Sequence, residues 1–205
     1  MNKILNLEFG EHYHIYNRGN NYDIIFHEER NFNYFLTLFE KHLLPIADLY
    51  VYCLLPNHFH FLLRIKPEEE LLHFIEDIEK LKNKSQEHLF ISRKFSNFFN
   101  AYTKAINKGY NRRGSLFQER FGRIKIENED YLTSLIYYIH TNPVKHKLTD
   151  NYIDYPYSSY NVIAKNEDSF IKKDRVLKWF SGLTEFVKFH EKDFNENKIT
   201  NLILE

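Results

Sequence analysis

An antiparallel α+β fold, with helices packed on one face of the sheet, is predicted by three features of this 205-residue chain. Short alternating apolar runs read as strands, and apolar residues at helical spacing read as helices. They follow one another as strand–helix–strand–strand–helix–helix–strand–helix. Between residues 12 and 160 glycine is scarce and no long linker or internal repeat intervenes.

Residues 12–18 (His-Tyr-His-Ile-Tyr-Asn-Arg) read as the first strand, closed by Gly19-Asn20-Asn21. Over 28–43, Phe32, Phe35, Leu36, Phe39 and Leu43 share one helical face, and Pro45 stops the helix. Residues 47–55 form a second strand, Pro56-Asn57 a tight turn, and 58–66 a third strand running back. Pro67 and Glu68–Glu70 suit a helix start, because acidic side chains favour the positive end of the helix dipole. Leu71, Phe74, Ile75, Ile78 and Leu81 continue that helix to about Lys82. Residues 83–95 look polar and irregular. Ser96 is expected to cap a helix carrying Phe99, Tyr102 and Ile106 and ending near Gly109. A loop containing Arg112-Arg113-Gly114 leads to a fourth strand over 117–126, and Asn128 can cap a helix over 129–141. Two short helices around Gly182 follow within 172–194. The order implies a ferredoxin-like sandwich. Residues 1–165 make the main domain, and 166–205 a C-terminal helical appendage.

Composition narrows the function classes. The lone cysteine, Cys53, excludes an intrachain disulfide framework; with no signal-like leader, the expected location is the cytoplasm. No apolar run approaches the roughly 18–20 residues a spanning helix needs. Lys and Arg balance Asp and Glu at 28 each. Any anion site must therefore come from local clustering rather than net charge.

The chemistry concentrates in two places. In Leu55-Pro56-Asn57-His58-Phe59-His60-Phe61, strand geometry puts His58 and His60 on one face and Phe59 and Phe61 on the other. Two imidazoles seldom complete a metal site. On the helix 129–141, Leu132, Leu135, Ile136 and Ile139 form the core stripe, while Tyr138 lies off it. Asn142 is four residues on and so a helical neighbour of Tyr138, and Pro143 is expected to end the helix there. An amide oxygen can join two imidazoles around a divalent ion, and a tyrosine hydroxyl can act as a covalent nucleophile. An isolated His-x-His pair is more often structural; Tyr138 and Asn142 reverse that weighting. Tyr137 is the local rival, but its spacing to Asn142 is five. His12, His14, His140 and His146 are read as structural or surface residues.

At these residues the chain resembles a family. Pro56-Asn57-His58-Phe59-His60 is similar to the His-hydrophobe-His motif of the HUH single-tyrosine transposases. Gly114–Phe121, Tyr138–His146 and the opening Tyr13-His14-Ile15-Tyr16-Asn17-Arg18-Gly19 resemble their REP-associated branch. The resemblance spans roughly residues 12–160, with its motifs in order. It implies cleavage and rejoining of single-stranded DNA near hairpins through a 5′-phosphotyrosine. Tyr138 would be the nucleophile, and His58, His60 and Asn142 would hold one Mg²⁺ or Mn²⁺.

DNA contacts are expected from Arg18, Arg112, Arg113, Gln118, Arg120, Arg123 and Lys125, confined to one face and interleaved with Tyr110, Phe117 and Phe121. The partner would be single-stranded or hairpin DNA, with no membrane; monomer and homodimer both fit. Two rivals differ in kind. A nucleic-acid-binding module would perform no chemistry, and a water-using metal nuclease would need the histidines but not Tyr138.

Overall fold

The computed structural model describes residues 5–71, 74–81, 83–128 and 130–192. The expected helix ends at Lys82 and residue 129, and residues 193–205 of the appendage, lie outside these. Four strands form one antiparallel sheet in the order β2-β3-β1-β4: β1 His12–Arg18, β2 Ala47–Leu55, β3 His58–Ile65 and β4 Gly122–Lys125. That order, with helices crossing between β1 and β2 and between β3 and β4, is the ferredoxin-like arrangement expected.

Register decides which side chains meet. Tyr16 lies opposite His60 and Arg18 opposite His58, so His12, His14, Tyr16 and Arg18 share the histidine face. Phe59 and Phe61 point the other way, onto α1 (Glu29–His42) and α3 (Lys84–Gly109). There Phe35, Phe39, Phe95, Phe98 and Tyr102 are buried. Burying each such ring contributes roughly 1.5–3 kcal/mol, so this face is a large source of stability.

The one-face placement of helices holds for α1 and α3, the two crossover helices. α4 (Asp130–Lys145) instead lies over the histidine face, with the Tyr138 ring 5.5 Å from that of His60. The short helices α5 (Tyr160–Ala164), α6 (Lys173–Trp179) and α7 (Leu183–His190) extend this second layer. Trp179 of α6 packs on Tyr50 and His12, and Phe186 of α7 on Tyr160. Residues 166–192 thus share one core with the sheet. Backbone bonds from Leu54 to Tyr157 and from Ser159 to Tyr52 cover the outer edge of β2.

Three local expectations change. Among its described residues, the segment after Pro67 holds a 3-10 turn, Glu68–Glu70, and a four-residue helix α2, Ile75–Ile78. α3 begins at Lys84, within the stretch expected to be irregular, because Asn83 caps it: its side chain accepts from the Gln86 amide at 3.1 Å. Phe90, Ile91 and Phe95 then continue the buried stripe, and Ser96 lies mid-helix on the exposed side. Asn83→Ala should lower stability by about 1 kcal/mol. A chemical-denaturation midpoint unchanged within error would mean that packing alone sets the start of α3. The fourth strand is only four residues long, because Arg120 adopts a left-handed backbone (φ 67°) that breaks the extended run from Phe117.

α4 also runs through Pro143 rather than ending at Asn142. A proline in a helix interior costs roughly 3 kcal/mol. Here it removes a single bond close to the C-terminus. The His146 amide still reaches the Asn142 carbonyl at 3.0 Å, and buried Ile139 and Asn142 hold the turn against the sheet. Asn142 therefore stays in helical register with Tyr138.

Candidate active site

β3 presents His58 and His60 to the layer formed by α4. Both are buried, with rings 5.3 Å apart and nearly perpendicular. Nδ1 of His58 lies 2.6 Å from Oδ1 of Asn57, which can only accept. Nδ1 therefore carries the proton, and the lone pair of the neutral ring is on Nε2. Nδ1 of His60 shares a 2.9 Å hydrogen bond with Nε2 of His14. Such outer partners fix tautomer and orientation for ligating histidines. Burial first, then the neighbouring His14, His58 and His146, push the His60 pKa well below its ordinary value. The neutral, ligating form is the one favoured.

α4 supplies the other half. Tyr138 is fully buried, with its ring edge-on to His60 at 5.5 Å and to His14 at 6.2 Å. Lys145, two turns on, places Nζ 4.6 Å from the centre of the same ring. His146 has its ring 4.6 Å from that of His58. Asn142 lies midway between Tyr138 and His146 on this row, four residues from each. Its carboxamide is fully buried, and neither Oδ1 nor Nδ2 has a hydrogen-bond partner among the described residues. Leaving a buried amide unsatisfied costs about 1–3 kcal/mol, which an ion accepting Oδ1 as ligand would offset. The donor set of two imidazoles and an amide oxygen fits a divalent cation. Among the described residues no three His, Cys, Asp or Glu side chains are grouped to hold a metal, so the amide is essential to this reading.

Tyr137 faces away, its ring 6.2 Å from Phe189 and 5.7 Å from His190. His140 is buried on that side too, hydrogen-bonded to His190 and Ser159 at 2.9 Å each. Both belong to the packing of α4 on α5 and α7. The structure also brings His14, Tyr16 and His146 beside the two histidines; from sequence, His14 and His146 read as structural or surface residues. The spacing 138–142–146 could have found His146. His14 and Tyr16 needed the register of β1 on β3.

The seven residues expected at DNA do not share one face. Arg18 is on the histidine face, beside His58 in register, with its guanidinium over the Tyr22 ring. Arg123 and Lys125 lie opposite Ile15 and Tyr13 and so point to the other face. Lys125 is tied to Glu8 at 2.9 Å and Glu11 at 3.1 Å, and Arg112 to Asp23 at 2.6 Å. Arg113, Gln118 and Arg120 are exposed on the connecting loop.

No family model matches the chain. A solved structure of a REP-associated tyrosine transposase bound to a REP hairpin superposes with a TM-score of 0.57. Identity is 16%, over 83% of this chain and 88% of that one. The two share a fold. In sequence, the chain is 30% identical over 117 residues to a Haemophilus influenzae protein named "Putative REP-associated tyrosine transposase". The match covers 56% of this chain and 60% of that relative's length. The relative carries the name of the family that the sequence motifs resemble, and the solved structure shares the fold. Among the described residues no helix is long and apolar enough to cross a membrane.

Proposed function

We propose that this chain is a REP-associated tyrosine transposase of the HUH class, cleaving and rejoining single-stranded DNA near hairpins. The observation that carries the proposal is the meeting of Tyr138 with His60, on the helix row where Asn142 holds an unsatisfied amide. The relative, named a REP-associated tyrosine transposase, and the fold shared with the solved transposase bound to a REP hairpin support it.

In this reading the Tyr138 hydroxyl gives up its proton and its oxygen attacks phosphorus. The P–O3′ bond breaks, O3′ leaves as a 3′-hydroxyl, and a 5′-phosphotyrosine remains. That ester conserves the energy of the broken bond, so a DNA 3′-hydroxyl can reverse the step. A tyrosine ionises near pH ~10 in water, so it needs help at neutral pH. The Lys145 ammonium over the ring favours the phenolate by charge. His58, His60 and Asn142 would hold one Mg²⁺ or Mn²⁺, which when bound supplies positive charge for the scissile phosphate. Asn57 and His14 orient the two imidazoles.

The deciding experiment incubates the protein with labelled single-stranded DNA from the regions flanking its gene and Mn²⁺, then runs a denaturing gel. A covalent protein–DNA band is expected. Cut DNA with no such band would indicate a water-using nuclease, and neither product a binding module. His58→Ala and His60→Ala should abolish the adduct while retaining DNA affinity, because phosphate contacts come from the arginines. Parallel loss of binding and cleavage would make the histidines structural.

The salt dependence of binding separates the arginines. Arg113→Ala and Arg120→Ala should each reduce the log–log salt slope by about one unit. Arg112→Ala and Lys125→Ala should leave it unchanged, since carboxylates already neutralise those side chains. A fall in slope with Lys125→Ala would move the DNA path onto the Glu8–Glu11 side.

A further inference from the structure

On the face opposite the histidines, a groove of about 540 Å³ runs between α3 and the segment leading into β4. That is the size of small-molecule clefts. One wall is a polar row on α3: Ser92, Ser96, Asn100 and Thr103, at spacings of four, four and three. The floor is aromatic. Phe99 lies 5.2 Å from Phe117 and 5.3 Å from Phe121. The far wall carries Arg123, whose guanidinium stacks 3.8 Å from the Phe121 ring centre. Arg123 Nη1 is buried with no hydrogen-bond acceptor among the described residues, and no described carboxylate lines the groove. Burial pushes the Arg123 pKa down to about 10, so it remains cationic at neutral pH.

The rim is built in advance. The Gln118 amide donates to the Arg18 carbonyl at 2.9 Å, the Asn20 amide to Leu116 at 2.9 Å, and Asn17 Nδ2 to the Gln118 carbonyl at 3.3 Å. A guanidinium nitrogen without an acceptor, flat apolar rings and a row of hydrogen-bonding side chains suit a ligand with an anionic end and a flat polar ring. A phosphate alone would leave the floor and the α3 row unused.

The geometry points to this groove as a binding site for one unpaired nucleotide, its phosphate on Arg123 and its base over the aromatic floor, read by the α3 row. The identity of the ligand rests on the proposed DNA reaction; the site itself does not. Asn17 and Arg18 are adjacent on β1 and point to opposite faces. A strand held in the groove can therefore pass over the end of β1 towards His58 and Tyr138. The groove would thus set base preference near the cut.

The test is competition against a labelled ten-nucleotide single strand, without divalent ions so that no cleavage intervenes. Competitors are the four deoxynucleoside 5′-monophosphates, the nucleosides and inorganic phosphate. At least one monophosphate should compete at a tenfold lower concentration than either phosphate or its nucleoside. Ser96→Trp, which fills the groove from an exposed helix position, should abolish that advantage with the thermal midpoint unchanged. Arg123→Gln should weaken it tenfold. Equal competition by phosphate and all four nucleotides would reduce the site to an anion site and overturn the inference. So would full competition in Ser96→Trp. Failure to form a tyrosine adduct in the earlier experiment would leave this result standing, so the two can fail separately.

Discussion

Tyr138→Phe should lower DNA cleavage by about four orders of magnitude or more, the scale seen when a covalent nucleophile is deleted. The substitution removes one oxygen. The ring remains, with its edge contacts to His60 and His14 and its place beneath Lys145. Loss of one hydroxyl should cost at most about 1–2 kcal/mol of stability. Binding of single-stranded DNA and the stabilisation given by Mn²⁺ should persist, because neither needs the phenol oxygen. Tyr137→Phe is the matched control. Its ring lies on the other side of α4, against Phe189 and His190, so cleavage should be unchanged. Adduct formation that survives Tyr138→Phe would leave Tyr16 as the nearest other phenol, with its ring 6.0 Å from His60. Tyr16→Phe is therefore the second control, and it should retain the adduct.

The sequence made the central pair legible because strand side chains alternate strictly: His58 and His60 had to share a face whatever the sheet order. Tyr138 and Asn142 were legible for the equivalent helical reason. Pro143 does not end α4 as expected, since a proline near a helix C-terminus removes one bond and need not break the helix. The site is unaffected, because continued helix keeps the four-residue spacing of Tyr138 and Asn142 intact. The start of α3 was missed because Lys84–His88 place polar groups before the apolar stripe resumes at Phe90. His14, Tyr16 and the division of the arginines between two faces depend on which strands pair and in what register. Local pattern does not contain that information. Lys125 illustrates the limit: its charge was visible, but its neutralisation by Glu8 and Glu11 arises only when the N-terminal segment packs beside β4.

Asn142→Leu separates a ligand from a structural amide by moving stability and activity in opposite directions. Leucine is close to asparagine in shape and carries no polar atoms. The buried carboxamide satisfies neither Oδ1 nor Nδ2 among the described residues. Its replacement should therefore be neutral or stabilising, by up to about 1–3 kcal/mol. For a chain of this length each 1 kcal/mol corresponds to roughly 2–4 °C in Tm. Adding Mn²⁺ should raise the Tm of the parent protein, since a ligand that binds only the folded state stabilises it. In Asn142→Leu that rise should be largely lost, and cleavage with it, while DNA affinity stays. The ordinary alternative is that Asn142 serves the α4 terminus through contacts of its own. That role predicts the reverse in the absence of metal, a drop in Tm, because the substitution would then strip a satisfied amide from a helix end. A metal-dependent rise in Tm undiminished by Asn142→Leu would show that the ion, if bound, is held by other groups. The nearest are His14 and His146, whose rings already lie against His60 and His58. Measured with and without Mn²⁺, one substitution thus tests both the unsatisfied amide and the chemistry proposed for it.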